Sequence, residues 1–517
     1  MAPSVGRYRA AERNWLAAAS VSVDGAVTCT RSLHETAPPL QRERRSAVGR
    51  REDGVMTPKQ AQFAREALKE FRCVRAPANG TDSPDLQSLL DKAGVVQSTF
   101  FLRERLAAGF TRDGMAALVT LAADILEARS PGPPVASARV LALAIAGLSA
   151  NLWHARPPEM IGDADLEGLG NAIGRWFSKQ ERLRTHYIPC SISAWPLTSF
   201  EVGPVRFYPV ADLPLDLFGL TRADVWPRDG DMSGWADVLL GQGVLRLAEL
   251  RNAWTIAEVS VRGRESARSQ LAADLAVDVA IGVIQMLTPP KFFARAARAT
   301  ARSAPVWWAT LTRDGDDVRP GVSNDEPGRS MGPGALEMAL ASQAAVMRSL
   351  GRRLEGFLQG GGNTPVLDEA WCNAAFWYHE GAAEPLDTLA LAKFETAIEV
   401  LFRSESSAGS KRRLVDGMEK LLGLPRGKPL ASGMTPEQFA ASIVTARSRV
   451  LHGTWPTLHT ELPASGGVGV ADAEMLARVL LIAFSCQLDG FISSGNGEDS
   501  LDALLSWNVA AAGQGGG

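Results

Sequence analysis

"TPEQFAASIVTARSRVLHG", residues 435 to 453, spells out a helix from cap to cap. Thr435 is an N-cap side chain, Pro436 suits a first turn whose N–H groups have no helical partner, and Gln438, three residues on, can reach back to the cap. Gly453 supplies the left-handed residue on which helices end. The expected helix covers 436–452. Phe439, Ile443, Ala446 and Val450 recur at the helical period as a buried stripe, with Arg447 on its flank. At 100° per residue, His452 lies about 140° around the axis from Arg447, so an ideal helix does not aim both side chains at one atom. Either the last turn unwinds before Gly453, or a second molecule completes any site the two residues form.

Reading outward, "LAKFETAIEVLFRSES" (391–406) puts Leu391, Phe394, Ile398 and Leu401 on one face, and "KRRLVDGMEKLLGL" (411–424) is a shorter amphipathic helix. "AEMLARVLLIAFSCQLDGF" (473–491) is apolar almost all round, as a central bundle helix must be. The region 335–494 is therefore expected to be an all-helical bundle with Leu391, Phe394, Ile398, Phe439, Ile443, Val450, Leu480 and Phe484 inside it. Between Arg403 and His452 stand nine Lys and Arg against four acids, a local +5 in a chain whose formal charge is -3. Such a patch, which includes Lys411, Arg412, Arg413 and Arg449, is either a surface that holds a phosphate backbone or the solvated face of a bundle.

The 517 residues exceed what one core serves, and 46% hydrophobic residues mark the chain as globular, so two or three domains are expected. A pI near 6.2 excludes a generally basic nucleic-acid coat and leaves only a regional site. The five cysteines are scattered and never form C-x-x-C, which suits a reducing, cytoplasmic setting and offers no zinc knuckle. The first 55 residues hold nine arginines and six acids without an apolar run, and read as a flexible basic tail with neither signal peptide nor anchor. The longest later apolar run, Val140 to Leu148, is too short to span a bilayer, so no membrane partner is expected. Residues 56–180 read as a helical N-terminal region. Residues 181–330 read as a mixed α/β region, with strands near 185–210, a Gly203-Pro204 turn, a hairpin around Asp314, Asp316 and Asp317, and helices at 235–258 and 265–287. The Gly-rich end, 495–517, reads as a frayed tail.

The order of a helix containing "AIEVLF", a basic second helix, "ARSRVLHG" and an apolar closing helix resembles the HEPN superfamily of helical bundles, most closely its Apea-like branch. The signature there is an Arg, a polar residue, a short spacer and a His. Here these are Arg447, Ser448, the spacer Arg449 to Leu451, and His452, followed by Gly453. The resemblance covers roughly residues 370 to 490, about a quarter of the chain. It implies a C-terminal HEPN-type helical bundle; with the strand patterns of 181–330, which it does not cover, the expected fold is α+β, mainly helical, with the bundle preceded by a mixed domain with a few β-strands. The resemblance also implies metal-independent attack of an RNA 2′-hydroxyl on the adjacent phosphate, with His452 shuttling the proton and Arg447 holding the phosphate oxygens. A homodimer through the bundle and a helical acid upstream of the motif, for which Glu399 is the candidate, follow from the same resemblance. Ser448 either orients the His or the phosphate, or is an exposed helical serine.

Other motifs carry less. "GLPRGKP" (423–429) has the wrong glycine spacing for a phosphate loop and Pro429 where Ser or Thr should bind magnesium. Glu395 and Glu399 stand one helical turn apart as paired acids, although Glu399 with Arg403 is also an ordinary i,i+4 pair. His154, His186, His379 and His459 have no His or Cys at ligand spacing, so no metal and no cofactor are expected. The functional expectation is an endoribonuclease acting as a toxin or antiviral defence effector, with an N-terminal region that senses an unknown trigger. The rival is a non-catalytic RNA-binding or sensing protein whose bundle only dimerises.

Overall fold

The computed structural model of the chain describes residues 56–75, 86–101, 105–129, 135–154, 158–218, 248, 250–301, 307–360, 362–404, 407–430, 433–454 and 468–514. The expected basic tail over 1–55 lies outside them. The fold is mixed α+β and mainly helical, with 14 helices among the described residues and a few small sheets. Contacts divide it into two compact units, one holding Thr185–Ser260 and Ala272–Gly517, the other Val261–Leu271 and the described part of Thr36–Arg184.

The second unit begins with α1 (Pro58–Lys69), started by a Thr57 and Gln60 capping box. Its antiparallel sheet of β1 (Phe71–Arg75), β2 (Val95–Phe101) and β3 (Leu106–Thr111) has the order β1-β3-β2, with α2 (Leu86–Lys92) preceding β2. Helices α3 (Arg112–Ala128), α4 (Ala138–Trp153) and α5 (Asp163–Gln180) complete it. Phe71, Phe110, Leu118, Ile145, Trp153 and Phe177 fill one core. The helical expectation for 56–180 missed this sheet. Its middle strand, "LAAGFT", is buried along almost its whole length, so it shows no alternation, and its Leu-Ala-Ala start reads as helix.

In the first unit, β4 (Arg184–Ser191), β5 (Phe200–Val202), β6 (Val205–Pro209), β7 (Thr255–Val261) and β8 (Ala297–Arg298) form a five-stranded sheet of order β5-β6-β7-β4-β8. The Gly203-Pro204 turn joins β5 and β6, with Gly203 at a φ of 55°. A separate hairpin, β9 (Trp307–Asp314) and β10 (Asp317–Asn324), turns at Gly315 as its Asp-Gly break predicts. Of the helix expected over 235–258, residues 219–247 and 249 lie outside the described residues, and its end is instead β7, where "TIAEVSV" is β-branched and half-alternating.

Helix α6 (Ser266–Leu287) is buried along most of its length, and at Gly282 it runs so close to the bundle that an added Cβ would lie 3.0 Å from the carbonyl oxygen of Ala375. Gly203 and Gly351 meet backbone to backbone, with no room for a side chain on either. The sheet, the Ala272–Leu287 part of α6 and the bundle thus share one unit, whereas the sequence reads as a mixed region over 181–330 followed by a bundle over 335–494. The bundle comprises α7 (Ala335–Ser342), α8 (Ala344–Gln359), α9 (Pro365–Ala382), α10 (Asp387–Leu401), α11 (Ser407–Leu422), α12 (Pro436–Leu451), α13 (Val470–Ser493) and α14 (Leu501–Gln514). All eight core residues expected from the sequence are buried. Helix α13 packs on α8, α9, α10, α11 and α14, which explains why it is apolar on every side.

Within the tail expected to fray over 495–517, residues 515–517 lie outside the described residues and 501–514 form α14. Ser500 caps its start through its side chain, Leu504 and Leu505 are buried, and Trp507 packs edge-on against Phe491. Its short apolar repeat is masked in the sequence by the Gly-rich residues around it.

Candidate functional site

Helix α12 forms as its grammar dictates: the Thr435 hydroxyl accepts from the Gln438 N–H, the Gln438 side chain accepts from the Thr435 N–H, and Gly453 takes a φ of 67°. The last turn does not unwind. The His452 N–H still donates to the Ser448 carbonyl 2.9 Å away, so His452 keeps its helical azimuth, far around from Arg447.

Arg447 points to α10. Its Nη2 lies 3.0 Å from Glu399 Oε2 and its Nη1 donates to Glu399 Oε1 at 3.4 Å, while Nε stands 3.3 Å from Glu395 Oε2. From α11 the Ser410 hydroxyl donates to Glu399 Oε1 at 2.5 Å. The burial is graded: Glu395 is 1% exposed, Glu399 15% and Arg447 28%, so exposure rises from Glu395 to the Arg447 side chain. Burial first, and the neighbouring Glu399 second, push the Glu395 carboxyl up to about 8, with Arg447 opposing both. Glu399 therefore pairs with Arg447 and not with Arg403, which follows α10 in a left-handed conformation with a φ of 51°.

The structure thus joins two of the four expected catalytic residues, Arg447 and Glu399, and leaves Ser448 and His452 exposed and apart from them. Of the expected RNA-binding residues, Lys411, Arg412 and Arg449 are exposed, and Arg413 is half-buried and paired with Asp502 of α14 at 3.3 Å. Arg426 is held by Asp416 and Glu419. The local +5 read from sequence is therefore smaller in space, because Asp502 comes from outside the counted window and Arg447 is offset by the α10 acids.

Sequence reasoning missed a second buried polar cluster. Arg298 grips Asp278 with two hydrogen bonds of 2.7 and 2.8 Å, and the His379 Nδ1 lies 3.0 Å from Gln285 Oε1. Its signal was present: Asp274, Asp278 and Gln285 interrupt one face of the otherwise apolar α6. On the five-stranded sheet, Tyr187, Arg206, Tyr208 and Glu258 line an open cleft of about 380 Å³. Among the described residues no group of three or more His, Cys, Asp or Glu is placed to hold a metal ion.

Fold and site together define a mainly helical α+β protein with an Arg-and-carboxylate cluster buried where three bundle helices meet. Comparison of the chain with protein-family models, with curated proteins and with solved structures gives no match.

Proposed function

We propose that the protein is a metal-independent endoribonuclease of HEPN type, a toxin or antiviral defence effector whose N-terminal part senses the trigger. The supporting observation is the end of α12: an arginine fixed by acids of α10, on a helix that closes with an exposed histidine. Glu399 holds the guanidinium in place before RNA arrives, and the exposed part of Arg447 meets a phosphate oxygen as charge builds on it. His452 accepts the 2′-hydroxyl proton as that oxygen bonds to phosphorus, and an imidazolium returns a proton to the departing 5′-oxygen. Because one copy cannot bring its own Arg447 and His452 to one atom, a second copy supplies the partner residue, and the functional unit is a homodimer.

The purified protein should cut single-stranded RNA in EDTA and leave 2′,3′-cyclic phosphate ends. Arg447→Ala and His452→Ala should each abolish cutting, and the His452 change should leave stability intact because its ring fills no core space. The ion-paired state of Arg447 favours a second reading, an RNA-binding bundle that does not cut. RNA retained by wild type and by both variants, with no cleavage by any of them in the presence of a trigger, would establish that reading instead.

A further inference from the structure

We infer that Glu395 is a positioning residue for Arg447, carrying a proton that it donates to Glu399, so that one carboxylate charge and not two faces the guanidinium. The shared proton stands on the geometry of the cluster, and its consequence for RNA rests on the function proposed above.

Glu395 is 1% exposed, and neither of its oxygens has a hydrogen-bond partner among the described residues. Arg447 Nε is near it but out of line for a hydrogen bond, and both Nη groups of that arginine go to Glu399. Ser410 spends its hydroxyl on Glu399 as well. An ionised Glu395 would be a buried charge with no donor, one turn from a second carboxylate, and the cluster would hold two negative charges against one positive. An O–H on Glu395 directed at Glu399 removes each difficulty: it supplies the missing hydrogen bond, lowers the cluster to neutrality, and leaves Glu399 as the single anion that orients Arg447. The upward displacement of Glu395 to about 8, caused by burial and by Glu399, agrees with this arrangement. The groups that face it are Glu399 from its own helix and Arg447 from α12.

With the proton present, a phosphodiester approaching the exposed part of Arg447 meets a neutral cluster. With the proton lost, the extra negative charge draws Arg447 inward and repels the phosphate. RNA binding should therefore weaken as pH rises through about 8.

The test uses the full chain and the variants Glu395→Gln, which keeps the shape and an N–H donor but cannot ionise, and Glu399→Gln. A group whose folded-state pKa is raised from 4.5 to about 8 gives the folded state the extra proton across that window. Its stabilising contribution is thus full at low pH and falls until the upper value is passed. Melting temperatures measured across this range should show wild type losing stability relative to Glu395→Gln, with the difference levelling above about pH 8. In Glu399→Gln the levelling point should move to lower pH. A difference between wild type and Glu395→Gln that is constant with pH overturns the inference, and so, should Glu395→Gln not fold, do identical profiles for wild type and Glu399→Gln. In parallel, binding of a labelled single-stranded RNA oligonucleotide in EDTA should weaken severalfold for wild type on the alkaline side and stay level for Glu395→Gln. The pH-dependent melting without RNA binding by any form would support the shared proton and remove the RNA reading, so the two failures are distinguishable.

Discussion

Two buried polar clusters differ in what each residue is asked to do. Around Arg447 the carboxylates outnumber the cations, and the surplus is met by a proton. Around Asp278 the buried carboxylate has its donors: Arg298 donates to both of its oxygens and also pairs with Asp274 at 3.3 Å, and His379 meets Gln285. Burial, more than the opposing pull of Asp278 and Glu380, lowers the His379 pKa below 6.5, and Arg298 and Lys393 push it the same way. The unfolded chain therefore takes up the proton first, so the contribution of His379 to stability is present above about pH 6.5 and is lost as pH falls toward the folded value. Thermal melts from neutral to mildly acidic pH should show this loss in wild type and a shallower one in His379→Gln, and parallel curves would show that other groups carry the acid sensitivity.

At the level of elements, α14 separates pattern from packing. It covers α11 and α13 with Leu504, which is fully buried, and with Trp507, which leans on Phe491 and Gly490. Leu504→Ala should cost about 2–5 kcal/mol in chemical denaturation, as a buried leucine does, whereas a frayed tail would lose nothing measurable. Helix α12 is the opposite case, since its caps, its stripe and its end were all legible in residues 435–453. The middle strand β3 was not, because a strand buried on both faces has no period to read. The long apolar helices α6 and α13 match a membrane span in length and hydropathy, and burial of 78% of the apolar window in α6 reflects its place in the core of its unit.

For the whole molecule, the proposed site requires two copies, and this can be measured directly. Arg447→Ala and His452→Ala, each inactive alone, should restore RNA cleavage when mixed, because a heterodimer carries one intact Arg and one intact His across the junction. Recovery should depend on protein concentration and on the time allowed for exchange of copies. A site built within one chain predicts no recovery at any ratio.

The sequence by itself determined the local structure of the bundle: which residues of 391–401 and 436–451 face inward, where α12 starts and stops, and that the closing helix is central. Capping chemistry and the 3.6-residue period are properties of neighbours along the chain, so they can be read there. Only the tertiary structure decided that Arg447 meets Glu399 and Glu395 across 48 and 52 positions of sequence, that Arg413 meets Asp502, and that α6 from Ala272 onward packs into the same unit as the bundle. Charges separated by that much chain meet only when helices pack. The burial that raises the Glu395 carboxyl comes from helices that the residue's own neighbourhood in sequence does not contain.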